Sequence, residues 1–129
     1  MEEILKEING VFDGEKMVVS DTCSILVPEN YASKSMLLVG TELVYRVTDK
    51  RAYFKQANNP EKRTNLGKVV LTDTGLKIEV DNDGCIHRMK CLGSFKTFYK
   101  LEPGDEVVVA YPEKLSMKKD NWCVIENRL

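Results

Sequence analysis

The run Leu101-Glu102-Pro103-Gly104-Asp105-Glu106-Val107-Val108-Val109-Ala110-Tyr111 constrains the fold most. A Pro-Gly turn leads through two acids into an unbroken series of β-formers, the local chemistry of a turn that feeds a strand. A similar phrase occurs earlier as Leu37-Leu38-Val39-Gly40-Thr41-Glu42-Leu43-Val44-Tyr45-Arg46-Val47, with Leu, Gly and Glu in the same places. A second echo sets Lys68-Val69-Val70-Leu71-Thr72-Asp73-Thr74 beside Lys16-Met17-Val18-Val19-Ser20-Asp21-Thr22. Asp73 answers to Asp21 at an offset of 52 and Gly104 to Gly40 at 64, so the second copy carries about 12 extra residues between the landmarks.

Taken in order, Ile4, Leu5 and Ile8 have a short helical spacing that stops at Asn9-Gly10. Strands are expected over residues 16–20, 24–27, 41–47 and 52–56, with a short helix over 29–38 that Pro28 can open without losing a hydrogen bond. Residues 57–66 are polar and turn-rich, and read as an exposed link. After the β run from Gly67, interrupted at Thr72-Asp73-Thr74-Gly75 and resumed through Ile78, Asp81-Asn82-Asp83-Gly84 is a turn and residues 85–91 an added strand. Residues 94–100 take the place of the first helix, residues 115–120 form a basic loop, and 122–125 close the chain as a strand.

At 129 residues the chain supports one core, hence a single domain over 1–129, with internal repeats over approximately 14–56 and 67–127. Each ββαβ-like repeat is too small to bury its own apolar face. The fold class expected is therefore mainly β with a small α content: a single pseudo-twofold β-barrel, which also removes exposed sheet edges.

Residues 99–109 resemble the "leucine, two residues, glycine, aspartate, acidic or polar, β-branched" element of AbrB-like swapped-hairpin proteins and of double-psi barrels. Val27-Pro28-Glu29-Asn30-Tyr31 resembles the hydrophobic-proline entry to the AbrB helix. The resemblance implies a small barrel. It departs from that family in holding both copies in one chain, and Arg88 and Lys90 have no matching basic pair before Pro28. None of the family's DNA-contacting residues is carried over.

No apolar run approaches the roughly 18 residues that a membrane span needs, and the acidic start lacks the basic and apolar regions of a secretory signal. A cytoplasmic protein without a membrane partner is expected. Net charge is −1, yet the charge is segregated. Residues 50–68 hold Lys50, Arg51, Lys55, Lys62, Arg63 and Lys68 against Glu61 alone, and residues 85–100 hold Arg88, Lys90, Lys96 and Lys100 with no acid. Tyr53 and Phe54, then Phe95, Phe98 and Tyr99, lie among these cations. Cations neutralise phosphates and aromatic faces stack bases, so the combination is that of a nucleic-acid groove.

For metal, Cys85-x-His87-x-x-x-Cys91 is the candidate cluster, with Cys23 or Cys123 available to complete a tetrahedral zinc set. Buried reduced cysteine is the plainer reading of the same residues, and no cofactor is otherwise implied. His87 is the sole histidine, and a Cys-His pair two residues apart is a poor nucleophile and base. Asp21-Thr22 and Asp73-Thr74 read as turn residues rather than paired catalytic acids. The expectation is a non-catalytic, regulatory macromolecule-binding domain. DNA or RNA is the leading partner, with Lys50, Arg51, Lys55, Arg63, Arg88, Lys90, Lys96 and Lys100 as phosphate contacts. A protein-interaction or inhibitory module with an acidic partner is the alternative, and a zinc-assisted enzyme the third reading.

Overall fold

The computed structural model describes residues 2–117 and 120–129; of the basic loop expected over 115–120, Lys118 and Lys119 lie outside the described residues. Strands hold 56% of the chain and helices 10%, so it is mainly β. The first half runs β1 (Ile4–Phe12), β2 (Lys16–Ser20), β3 (Cys23–Leu26), α1 (Glu29–Lys34), β4 (Glu42–Thr48) and β5 (Ala52–Asn58). The second runs β6 (Lys62–Thr72), β7 (Gly75–Asn82), β8 (Cys85–Met89), α2 (Gly93–Tyr99), β9 (Glu106–Pro112) and β10 (Val124–Arg128).

These strands form two five-stranded antiparallel sheets, in the orders β3-β2-β1-β4-β5 and β10-β9-β6-β7-β8. In each, three hairpin-linked strands are followed by a fourth that returns through a helix to lie beside the first, which is a Greek key. A fifth strand is then hairpinned to the fourth. The two halves therefore run through the same elements with the same pairing, and each has five strands where a ββαβ-like unit has three. No ladder among the described residues joins one sheet to the other, so the strands do not pair across the halves into one shared barrel. A parallel bridge between Lys90 and Trp122 ties the segment after β8 to the segment before β10.

Several expectations change in physical detail. Residues 4–8 are strand, not helix: β1 pairs with β4 in the register Ile8↔Tyr45 and Gly10↔Leu43, and that pairing outweighs the weak helical spacing of Ile4, Leu5 and Ile8. The polar stretch 57–66 is mostly strand as well, because β5 ends at Asn58 and β6 begins at Lys62. The polar side chains of β6 are satisfied across the sheet: Asn65 Nδ2 donates to the Asp81 carbonyl (2.8 Å) and to Tyr111 Oη (3.2 Å).

The Gly40 and Gly104 phrases occupy matching places. Gly40 N–H donates to the Phe12 carbonyl (2.9 Å) and Phe12 N–H to the Thr41 carbonyl (2.9 Å); Gly104 N–H donates to Val69 O and Val69 N–H to Asp105 O, both at 2.8 Å. Asp21 and Asp73 do not match, since Asp21 lies in the β2–β3 turn and Asp73 in the β6–β7 turn, the first hairpin of its own half. Consequently β8 is no insertion and stands where β3 stands in the first half. The first strand of each half changes partners along its length: β6 pairs with β9 over Lys62–Lys68 and with β7 from Gly67 onward. A Cβ at Gly67 would lie 2.6 Å from Ile78 Cγ2, and one at Gly10 2.7 Å from the Val18 carbonyl oxygen, so both positions mark a close approach that glycine permits.

Burial follows the sheets. One apolar cluster gathers Phe12, Met17, Val27, Ala32, Leu37 and Leu43, and a larger one is built around Val69, Ile78, Val80, Val107, Val109 and Tyr111. Leu92 packs against both clusters, and Leu38 of the first half belongs to the second. Trp122 covers Gly14, where a Cβ would lie 2.6–2.8 Å from indole atoms. The halves thus carry two cores that meet at Leu92, Leu38 and Trp122, where one core was expected.

Candidate nucleic-acid interface

The β4–β5 hairpin gathers the first basic segment around one aromatic ring. Its register sets Arg46 opposite Tyr53 and Val44 opposite Lys55, and residues directly opposite in an antiparallel pair project from the same face. Continuing into β1, Glu7 stands opposite Arg46 and Asn9 opposite Val44. This face points away from the core, whose side holds Phe54 stacked near Tyr45 (ring centroids 5.0 Å) and Tyr31 (5.9 Å). Alternation therefore separates the two neighbouring aromatics: Phe54 packs inward and Tyr53 faces out.

The Arg51 guanidinium lies 4.6 Å from the Tyr53 ring centroid and that of Arg46 lies 5.9 Å away. Arg46 Nη1 also donates to Tyr53 Oη (3.2 Å) and its Nε to Glu7 Oε1 (3.0 Å). The hydrogen bond to Tyr53 outweighs desolvation and, with the charge of Glu7, raises the Arg46 pKa above its ordinary value. Arg51 is held by Glu2 at 3.1 Å yet keeps 62% of its side chain exposed. Lys50, in the turn, and Lys55 are exposed and make no ion pair among the described residues.

The remaining expected phosphate contacts are dispersed. Arg63, on β6, is turned to Asp83 through two hydrogen bonds of 2.7 and 2.9 Å, and the guanidinium holds the Asp83 carboxyl below the usual carboxylate range. Arg88 pairs with Glu79 (3.4 Å) and Lys90 with Asp120 (2.8 Å), and Lys90 also lies 5.6 Å from the Trp122 ring. Lys96 and Lys100 belong to the α2 region, Lys100 capping the helix in a left-handed conformation. Phe98 between them is 78% exposed, whereas Phe95 is buried. The structure thus places Arg51 and Lys55 around Tyr53, with Lys50 in the adjoining turn, while Arg51 meets an acidic partner, Glu2, as Arg63, Arg88 and Lys90 meet theirs. Arg46 was missed because it stands outside any basic run; its outward position in the alternation of residues 41–47 was the available signal.

Cys85, His87 and Cys91 are not brought to one point. Cys85 and Cys91 are separated by roughly 20 Å of extended chain, with Cys85 exposed and Cys91 buried. Among the described residues, no group of three or more His, Cys, Asp or Glu side chains is gathered to hold a metal ion. Burial pushes the Cys91 thiol up to about 11 and the Cys123 thiol well above its ordinary value, the latter raised further by Cys91.

A second feature lies between the halves: a cleft of about 1350 Å3 whose walls include Val11, Val18, Pro60, Pro112, Leu115 and Trp122. Its described lining carries Asp13, Glu15, Glu61, Glu113 and Asp120. The lysines against them are Lys16, Lys90 and Lys114, of which Lys90 is occupied by Asp120. This acidic excess was invisible in a sequence whose nearby segments look basic.

No protein-family model matches the chain, and no curated protein sequence matches it. The fold and this site define its class as a mainly β protein of two five-stranded antiparallel sheets. Among the described residues, no helix is long and apolar enough to cross a membrane.

Proposed function

We propose that the chain is a non-catalytic binder of single-stranded nucleic acid, built as a duplicated pair of OB-like units. An OB-fold is a five-stranded, partly open Greek-key barrel that binds oligonucleotides on one face and through its turns. The repeated Greek key with a fifth strand supports this reading for both halves, and the isolated parallel Lys90–Trp122 bridge supports it for the second. The observation that carries the function is the outward Tyr53 ring with the Arg46 and Arg51 guanidinium groups over it, on the sheet face that Lys55 shares and next to the turn that holds Lys50. An aromatic face stacks a base of any sequence, and the surrounding cations neutralise the adjoining phosphates. A single strand suits a flat ring better than a duplex, whose bases are already stacked.

Fluorescence anisotropy with labelled oligothymidine and oligouridine of about 12 nucleotides tests the reading. Three phosphate contacts, from Lys50, Arg51 and Lys55, predict a log–log salt slope of about −2, hence about sixteenfold weaker binding between about 50 mM and about 200 mM salt. Tyr53→Ala is expected to cost about 1–3 kcal/mol of binding. Lys50→Ala is expected to flatten the salt slope by about 0.7. Absent binding, or binding indifferent to salt, contradicts the proposal.

A further inference from the structure

We infer that the cleft between the two halves is a docking site for an extended peptide segment of a protein partner, one that alternates basic with apolar side chains. The site is distinct from the Tyr53 platform and does not depend on it.

Size excludes the simplest alternative. A cleft of about 1350 Å3 exceeds the roughly 300–1,000 Å3 of an ordinary small-molecule pocket, and a peptide fills such a space better. Its floor is apolar and incompletely covered: Val11 and Val18 stand directly opposite one another in the β1–β2 ladder, 44% and 37% exposed. Pro60, Pro112 and Trp122 face the same space. Apolar side chains of a partner would complete this packing.

Charge sets the polarity of the occupant. Glu113 N–H donates to the Glu61 carbonyl at 2.9 Å, and the two carboxyl groups lie within hydrogen-bonding reach of each other, a contact that raises the Glu113 pKa above the usual carboxylate range. Neither makes an ion pair among the described residues. Two adjoining carboxylates repel at neutral pH; an ammonium placed against them relieves that repulsion, and a guanidinium does so while donating two parallel hydrogen bonds. Glu15, also lining the cleft, makes no ion pair either. A phosphate chain meets the opposite condition, since it would lie against these same carboxylates.

Trp122 is the sole tryptophan and lines the cleft, so its emission reports occupancy directly. Titration with a short capped peptide of alternating Arg and Val is expected to give a saturable change in that emission. Alternating Glu and Val, or Arg and Ser, should give little. In the Glu61→Gln, Glu113→Gln protein the affinity for the Arg–Val peptide is expected to fall about tenfold, the loss of one strong charged contact. Val18→Ser should weaken the same peptide without changing its preference over the acidic one. No saturable response to the Arg–Val peptide, or an equal response to the Glu–Val peptide, would overturn the inference. A saturable response to oligothymidine that strengthens in the double glutamine variant would instead assign the cleft to nucleic acid.

Discussion

Tyr53 and Phe54 are neighbours in sequence with opposite fates, and the period of two along β5 is the whole cause. The same alternation selects Lys55 for the outward face. A basic, aromatic-rich segment was legible in the sequence, but which of its members share a face with Tyr53 depended on register. Arg46 reaches the ring from another strand, and Arg63 is withdrawn by Asp83 from across its sheet. The cysteines make a second argument at this scale. Cys23 and Cys85 are exposed, while Cys91 and Cys123 are buried with raised thiol pKa values. Near pH 8 a thiol reagent such as dithionitrobenzoate should therefore titrate Cys23 and Cys85 in the folded protein and reach the other two only after unfolding. A folded pKa above the unfolded one gives stability that is complete below the unfolded value, about 8.5, and is lost as pH rises through about 11 for Cys91. Uniform reactivity of all four thiols in the folded state would contradict the burial.

Element by element, local chemistry was readable where it was self-contained. The Pro103-Gly104 turn and the β-formers after it need no distant partner to be recognised, and β9 lies where they indicate. β1 and the first part of β6 were not readable, because their strand character comes from pairing with β4 and β9. The Asp-Thr echo misled for a related reason: Asp and Thr favour turns wherever they fall, so the match recorded two different hairpins. The close approaches at Gly10 of β1 and Gly67 of β6 have a consequence that can be measured. Gly10→Ala and Gly67→Ala should each destabilise the fold by about 1–3 kcal/mol in urea unfolding. Gly10→Ala should cost more, since its new Cβ meets the Val18 carbonyl, whereas at Gly67 the clash is with the Ile78 side chain. Equal stability to the wild type at either position would remove the close approach from the account.

For the whole molecule, segregation of charge along the chain translated only in part into segregation in space. Of the first basic segment only Lys50, Arg51 and Lys55 belong to the first sheet's outer hairpin, while Lys62, Arg63 and Lys68 lie on β6 of the second sheet; Arg88 and Lys90 of the second segment meet Glu79 and Asp120, and the described lining of the cleft between the halves is acidic. Strand content was legible from the density of β-formers. The division into two five-stranded sheets was not, because it depends on long-range pairing of segments whose own signals are weak. A protein of net charge −1 that binds a polyanion must do so locally, and the location is the central claim. Titrating isotope-labelled protein with oligothymidine while following backbone amide chemical shifts tests it most directly. The account predicts saturable, salt-sensitive shifts concentrated in residues 44–56, with those at Arg51, Tyr53 and Lys55 abolished together in Tyr53→Ala. Shifts confined to the second sheet, or none at all, would contradict it.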